Sequence, residues 1–274
     1  MEHTLALPHG ILSWEDIGPR HATRTLLLLH GFPHDRRLWN SQLAAHADVF
    51  PDVRLLAPDL PGFGGSTPLA SASMDGYADA VAAMLDEAGV RQAIVGGLSM
   101  GGYIAFAFWR RHAERTKALI LMDTKAPADT AAAREKRREL IAAVARDGIG
   151  PSVPSLMMQQ LGASTRAAAP TLVEQVAGLL RRAPASGVIG AAQALMDRID
   201  STATLETITV PTLVIVGQED TLTPPNEAIA MASLIRGSRL VTVPEAGHLA
   251  PLEQPATVNA AIAEFLDVAL LRAG

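Results

Sequence analysis

Gly97-Leu98-Ser99-Met100-Gly101 is the stretch that decides the fold of this chain. An apolar run at residues 93–96 precedes it, and residues 103–108 continue with apolar and aromatic side chains typical of a buried helix. A strand that enters a G-x-S-x-G turn and leaves it as a helix holds the serine at the strand tip, on a sharply bent backbone. Ser99 would then lie beside the free N–H groups of a helix start, which favour the negative charge of an alkoxide or a tetrahedral oxyanion.

The pentapeptide alone fits two interpretations, because a glycine-rich turn can also hold a serine that has no chemical role. Its context favours a catalytic role for Ser99, since three further segments that could complete a catalytic site follow one another along the chain. The first is His30-Gly31-Phe32-Pro33, directly after the leucine-rich residues 25–29, which predict a strand buried on both faces. We interpret the His30 side chain as structural.

The second segment contains the candidate acid. A buried strand is predicted to end at Gly217, and Glu219 and Asp220 follow it. A carboxylate at such a strand tip can accept a hydrogen bond from a histidine Nδ1–H, fix its tautomer and stabilise the imidazolium. Asp220 is the preferred candidate, although its role could be limited to shaping the turn. Asp123, which follows another predicted strand, is a rival for the same role, and Glu219 is a weaker candidate.

The third segment contains His248, on a loop just past the last predicted strand. Gly247 would let the backbone turn so that the imidazole reaches inward. His248 follows both Ser99 and Asp220 along the chain, and we expect it to act as the base. His34 is expected to be an ordinary loop or surface histidine.

The order Ser99, Asp220, His248 resembles that of the α/β-hydrolase superfamily. The resemblance covers nearly the whole chain and includes residues 59–66, which are similar to the family's D-x-x-G-x-G-x-S loop. Residues 30–39 and 97–102 resemble serine carboxylesterase-like and enol-lactonase-like members. The resemblance implies that Ser99 is the nucleophile and that the backbone amides of Phe32 and Met100 form the oxyanion hole.

The same resemblance implies the α/β-hydrolase fold, a mostly parallel eight-stranded sheet with flanking helices and a helical cap inserted after the sixth strand. Hydrophobic patterning predicts two antiparallel strands around residues 8–10, and then strands at 25–29, 54–57, 93–95, 118–122, 212–216 and 239–243. It predicts helices at 74–88, 100–112, 226–234 and 257–271.

Between residues 122 and 211 the alternation of strands and helices stops, and helical patterns continue at 131–146, 153–161, 171–182 and 188–199. We therefore predict a hydrolase core at 1–123 and 211–274 and a helical cap at 124–210 that roofs the site. The alternative is a helical appendage that only packs on the core.

The expected substrate pocket is apolar. The candidate lining residues are Trp39, Met157, Met158, Leu161 and Leu249. Three cationic residues in or beside the predicted cap could instead face a substrate carboxylate: Lys125, Arg166 and Arg198.

Composition and charge argue against several classes of protein, among them nucleic-acid-binding, disulfide-bonded and membrane-spanning proteins. The formal net charge of −5 gives no basic surface for nucleic acid, and the chain has no cysteine for disulfides or thiol chemistry. An apolar run of the roughly 18 residues needed to span a bilayer is absent from the sequence, as is a signal-like N-terminus. We expect a cytoplasmic monomer or homodimer that needs no metal or organic cofactor and binds no membrane.

The predicted activity is hydrolysis of small, largely apolar carboxylic esters through an acyl-serine intermediate. The motifs also fit a lactonase such as a 3-oxoadipate enol-lactonase, a C–C bond hydrolase or a perhydrolase, because the fold does not determine the substrate. A ligand receptor with a hydrolase-like fold is the alternative outside enzymes.

Overall fold

Eight strands form one sheet in the order β1-β2-β4-β3-β5-β6-β7-β8 in the computed structural model, which describes residues 1–8 and 10–271. The strands are β1 Glu2–Leu7, β2 Gly10–Ile17, β3 Arg24–Leu29, β4 Val53–Pro58, β5 Ala93–Leu98, β6 Thr116–Met122, β7 Thr212–Gly217 and β8 Arg239–Val243. β1 pairs with β2 and β2 with β4 in antiparallel fashion, and every later pairing is parallel. The predicted mostly parallel sheet is confirmed; the turn predicted around residues 8–10 includes His9, which lies outside the described residues.

The central strands are buried because both of their faces are covered. In β3, Leu27 and Leu29 belong to one apolar cluster, whereas Leu26 and Leu28 belong to another. Alternate side chains of a strand point to opposite faces of the sheet, so this split shows a packed layer on each side.

Helices cover both faces, and all four predicted core helices are present with boundary shifts of at most two residues at their starts. The helices before β6 are α1 Asn40–Ala44, α2 His46–Val49, α3 Met74–Glu87 and α4 Met100–His112. The helices after β7 are α11 Pro225–Leu234, α12 Ala250–Glu253 and α13 Pro255–Leu271. α3 and α4 pack on the face of the Leu27 cluster, and α13 packs on the face of the Leu26 cluster.

Six α-helices lie between β6 and β7, the interval in which the sequence predicted no strand. They are α5 Ala131–Asp147, α6 Val153–Gln160, α7 Ala163–Ala168, α8 Pro170–Arg181, α9 Ala185–Asp197 and α10 Thr202–Leu205. We call residues 124–210 the insertion. The sequence did not predict α7 and α10, because helices of six and four residues are too short to show an apolar periodicity.

Within the described ranges 1–8 and 10–271, no helix is both long enough and apolar enough to cross a lipid bilayer.

Candidate active site

Ser99 lies between β5 and α4 in a left-handed backbone conformation, with φ 54° and ψ −112°. β5 continues to Leu98, three residues beyond its predicted end, because Gly96 and Gly97 pair with β3 and β6. Strand and helix meet so closely that a Cβ on Gly97 would come within 2.2 Å of the Gly101 carbonyl oxygen. A Cβ at Gly101 would likewise come within 2.1 Å of the Leu29 carbonyl oxygen, so glycine is required at both positions.

The end of β6 holds the Ser99 backbone in place. The Ser99 N–H donates to the Met122 carbonyl at 2.9 Å, and the Thr124 hydroxyl donates to the Ser99 carbonyl at 2.9 Å. The Gly102 N–H donates to the same carbonyl at 2.9 Å. The bent backbone at Ser99 is therefore fixed on both sides of its Cα.

Ser99, His248 and Asp220 form one hydrogen-bonded chain, although 149 residues separate the first two. His248 Nε2 is 2.8 Å from Ser99 Oγ, and His248 Nδ1 is 2.8 Å from Asp220 Oδ2. Asp220 accepts hydrogen bonds and so fixes the proton on Nδ1, which leaves Nε2 as an acceptor for the Ser99 hydroxyl. Such an arrangement can remove the hydroxyl proton as Oγ attacks an electrophilic carbon.

Asp220 is buried, and its carboxylate is surrounded by donors. The Leu222 and Thr223 N–H groups donate to Oδ1 at 2.8 and 3.1 Å, and the Thr223 hydroxyl donates to Oδ2 at 2.6 Å. Burial alone would raise the pKa of this carboxyl, but His248 and the hydrogen bonds from His248 and Thr223 outweigh burial and hold the pKa below its ordinary value. Asp220 thus shapes its turn and faces His248 at once. Thr223 was missed by sequence reasoning, although Asp-x-x-Thr is a pattern typical of such a turn.

The two rival acids face elsewhere. Asp123 accepts a hydrogen bond from the Gly217 N–H at 2.7 Å and is fully buried, with φ 44°. Burial, with a further contribution from the Asp220 charge, raises the pKa of the Asp123 carboxyl well above its ordinary value. Glu219 accepts hydrogen bonds from the backbone and hydroxyl of Ser164 in the insertion. The buried position of Asp123 therefore favours its neutral carboxyl form, and Glu219 connects the insertion to the core.

The loop after β3 lies directly against Ser99. A Cβ on Gly31 would come within 3.3 Å of the Ser99 Cβ, so this loop closely approaches the Ser99 side chain. Neither the Phe32 nor the Met100 amide donates to a backbone acceptor elsewhere in the described chain. His30 accepts from the Leu60 N–H at 2.9 Å through Nε2 and donates to the Gly31 carbonyl through Nδ1, which are structural contacts.

His34 differs from the sequence expectation of an ordinary loop or surface histidine. Its side chain is buried, and its Nε2 is 2.9 Å from Gln160 Oε1. Burial lowers the pKa of His34 to about 4, so the imidazole is neutral at pH 7. The expectation was wrong because Gln160 comes from the insertion, 126 residues later in the chain.

The His248 loop is held from two directions. The His248 N–H donates to the Gln160 carbonyl at 2.8 Å. The buried Glu253 carboxylate accepts from the N–H groups on either side of the histidine, those of Gly247 at 3.0 Å and Leu249 at 3.1 Å. Its other oxygen accepts from the Gly162 N–H of the insertion at 2.8 Å. Glu253 and Gln160 were not singled out from the sequence, because backbone contacts of this kind leave no local pattern.

The five candidate pocket residues differ in burial, and one of them, Met158, needs correction. Trp39 has no exposed surface and packs in the Leu26 cluster. Met158 is 55% exposed, because it lies about 100° around α6 from Met157 and points to solvent. Leu161 and Leu249 are buried in the Leu26 cluster, and Met157 is partly buried against it.

The cationic candidates are largely engaged by the protein itself. The Arg198 guanidinium pairs with Asp129 at 3.0 Å and lies 4.0 Å from the centre of the Tyr103 ring. Arg166 donates to the carbonyls of Met158 and Leu161. Lys125 is half-buried.

Comparison with known proteins gives consistent matches over nearly the whole chain. The family profile that matches residues 24–255 is described as alpha/beta hydrolase fold. The solved structure of a thermophilic esterase from Thermogutta terrifontis, with malate bound, is 38% identical and superposes with a TM-score of 0.90 over 97% of this chain and 98% of its own. The AB hydrolase superfamily protein YisY of Bacillus subtilis is 30% identical, covering 94% of this chain and 96% of that protein. The 3-oxoadipate enol-lactonase 2 of Acinetobacter baylyi is 27% identical, with 92% of this chain and 94% of that protein covered.

Proposed function

The chain belongs to the alpha/beta hydrolase family, and from this premise we propose that it is a serine hydrolase that cleaves carboxylic esters of small, largely apolar substrates. One observation carries the proposal: Ser99 Oγ, the His248 imidazole and the Asp220 carboxylate are linked by two hydrogen bonds of 2.8 Å each. The 38% identity to an esterase supports the ester as the substrate class.

The proposed reaction begins when Ser99 Oγ attacks the ester carbonyl carbon and His248 Nε2 takes the hydroxyl proton. Asp220 stabilises the resulting imidazolium without itself becoming protonated. The Phe32 and Met100 amides donate to the oxyanion of the tetrahedral intermediate. His248 then returns the proton to the leaving alcohol, and an acyl-serine remains. Water, deprotonated by the same imidazole, releases the acid and restores Ser99.

Apolar surroundings support the preference for neutral substrates. Leu161 and Leu249 lie in one buried apolar cluster with Met157 packed against it. A substrate carboxylate buried there without a partner would cost several kcal/mol. We therefore expect neutral short-to-medium acyl chains to be the better substrates.

A second candidate function is hydrolysis of a dicarboxylate enol-lactone. It is favoured by the 27% identity to a 3-oxoadipate enol-lactonase. Among the cations considered for the substrate carboxylate, Arg198 is held by Asp129 and Arg166 by backbone carbonyls. Lys125 is thus the residue on which this alternative depends.

The proposed function is tested with a panel of p-nitrophenyl esters of increasing chain length, neutral lactones and a dicarboxylate enol-lactone. Multiple turnover of the neutral esters is the expected result. A single burst of p-nitrophenolate followed by retention of the acyl group would instead indicate a ligand receptor. A dicarboxylate lactone that outperformed every neutral ester would replace esterase with enol-lactonase.

We further propose that the insertion is a cap that sets substrate choice and performs no chemistry. It leaves the sheet at the carboxyl end of β6, on the edge where Ser99 follows β5, and the chain then returns to the start of the parallel strand β7. Its segment from Gln160 to Ser164 contacts the loops of His248 and Asp220 through Glu253 and Glu219. The same contacts would orient α6 over the substrate.

Met157→Ala should change the ranking of ester chain lengths. The side chain packs against the buried cluster of Leu161 and Leu249, so its removal would widen the pocket. One methylene in an apolar pocket is worth roughly 1–3 kcal/mol, so relative kcat/KM values should shift by about tenfold or more. Met158→Ala is the matched control: its exposed side chain should leave the profile unchanged. An unaltered profile in Met157→Ala would argue against the proposed cap role of α6.

A further inference from the structure

Gln160, the last residue of α6, lies between two loops of the candidate site and bonds to both. Its side-chain Nε2 donates to the Phe32 carbonyl at 3.0 Å, and its Oε1 is 2.9 Å from His34 Nε2. Its backbone carbonyl accepts from the His248 N–H at 2.8 Å. The side chain is 3% exposed, so water does not compete for these bonds.

The orientation of the Gln160 amide follows from its partners. The Phe32 carbonyl can only accept, so the NH₂ group of Gln160 must face it and Oε1 must face His34. His34 therefore carries its proton on Nε2 and donates. Burial lowers the pKa of His34 to about 4, so near pH 7 the imidazole is neutral and carries one N–H, the one that donates to Gln160 Oε1.

These bonds fix the backbone on both sides of the Phe32 Cα. The peptide plane that holds the Phe32 N–H also holds the Gly31 carbonyl, which accepts from the His34 N–H at 2.9 Å and from His30 Nδ1 at 3.1 Å. The next plane holds the Phe32 carbonyl, which Gln160 binds. With both planes held, the direction of the Phe32 N–H is determined.

We propose that Gln160 is a positioning residue for the hydrolytic reaction: it keeps the Phe32 amide and the His248 imidazole in register on either side of Ser99. This inference rests on the proposed function above. Gln160 does not touch the reacting atoms in this role. It acts through the Phe32 carbonyl and His34 on one side, and through the His248 N–H on the other.

The two halves of this role can be separated experimentally. The first half is the hydrogen bond from the His248 N–H to the Gln160 carbonyl, which involves backbone atoms only. The chain segments around this bond are tightly packed, because a Cβ on Gly247 would come within 2.2 Å of the Gly162 nitrogen, and Glu253 bonds to Gly162. A side-chain substitution at Gln160 leaves the bond to the His248 N–H in place. It removes only the hydrogen bonds to Phe32 and His34, so its effect reports on the oxyanion side.

The experiment compares Gln160→Met, Gln160→Ala and Gln160→Glu with the wild type. Gln160→Met retains much of the side-chain volume without hydrogen-bonding groups, and in Gln160→Glu an ionised side chain has no donor for the Phe32 carbonyl. Removing an oxyanion donor costs roughly 10²–10³-fold and a 1 Å misplacement about 10²-fold, so a displaced donor should lower kcat by roughly 10- to 100-fold. KM should change by less than about threefold, since ground-state binding is unaffected. Gln159→Ala is the control, because Gln159 is exposed and its amide donates to Ser155 in its own helix.

Activity is expressed per active site, titrated with a serine-directed organophosphonate, and the rate of that labelling is recorded separately. A merely structural role would lower the number of active sites or the melting temperature but leave kcat per site at the wild-type value, and that result would overturn the inference. If Gln160→Ala fails to fold, the comparison of kcat per active site is made with Gln160→Met. A wild type that labels at Ser99 but hydrolyses no ester would contradict the proposed function alone, and the labelling rates of the variants would still decide the role of Gln160.

Discussion

Ser99→Ala should remain folded and lose ester hydrolysis by several orders of magnitude in kcat. In a serine protease with the same residue types, loss of the nucleophile costs on the order of 10⁶-fold, and the residual rate comes from binding and the oxyanion hole. The Ser99 hydroxyl is the group within 2.8 Å of His248 Nε2, so its removal eliminates the acyl-enzyme route. Steady-state kinetics on a p-nitrophenyl ester, with circular dichroism to verify folding, gives the measurement.

Covalent labelling supplies the second half of this test. An organophosphonate should add to Ser99, as read by peptide mass mapping, and Ser99→Ala should not be labelled. Ser155→Ala, at an exposed position on α6, is the control and should react like the wild type. Labelling at any other serine would overturn the assignment of the nucleophile.

Asp220→Asn should lower kcat by about 10⁴-fold, the loss found when the same change is made in a serine protease triad. The asparagine amide can donate to His248 Nδ1, which would place the proton on Nε2 and prevent that nitrogen from accepting the Ser99 proton. KM should be nearly unchanged, because Asp220 is buried behind His248 and does not reach the substrate side.

Asp123→Asn is the matched control for this prediction. Burial raises the pKa of Asp123 and so favours its neutral carboxyl form, and an asparagine is neutral as well. The side-chain oxygen of the asparagine would accept from the Gly217 N–H, as Asp123 Oδ1 does at 2.7 Å. The loss should be far smaller than for Asp220→Asn. If the two losses came in the opposite order, the triad acid would have to be reassigned to Asp123.

Local sequence signals were sufficient for the fold and for singling out Ser99, Asp220 and His248. The buried strands are continuous runs of leucine, valine and isoleucine, and the glycines beside Ser99 mark the bend. Parallel strands also end at one edge of the sheet, so a serine, an acid and a histidine that follow the ends of β5, β7 and β8 are brought to the same edge by the topology.

The contacts of the insertion could not be predicted in the same way. Gln160 and His34 are polar residues in segments far apart, and neither shows a period or a motif that records the hydrogen bond between them. The difference between Met157 and Met158 depends on how α6 is rotated against the core, which tertiary packing decides.

Left-handed backbone at non-glycine positions occurs at three places in the described chain: Ser99, Asp123 and Glu245. All three lie just past the carboxyl ends of parallel strands in the same half of the sheet, β5, β6 and β8. Each such conformation costs on the order of 1–3 kcal/mol, whereas a whole domain is stable by only about 5–15 kcal/mol. Selection for stability alone would favour glycine at these positions. At this edge of the sheet the chain therefore has a lower free energy of unfolding than glycine at these positions would allow, and in exchange it presents specific side chains there.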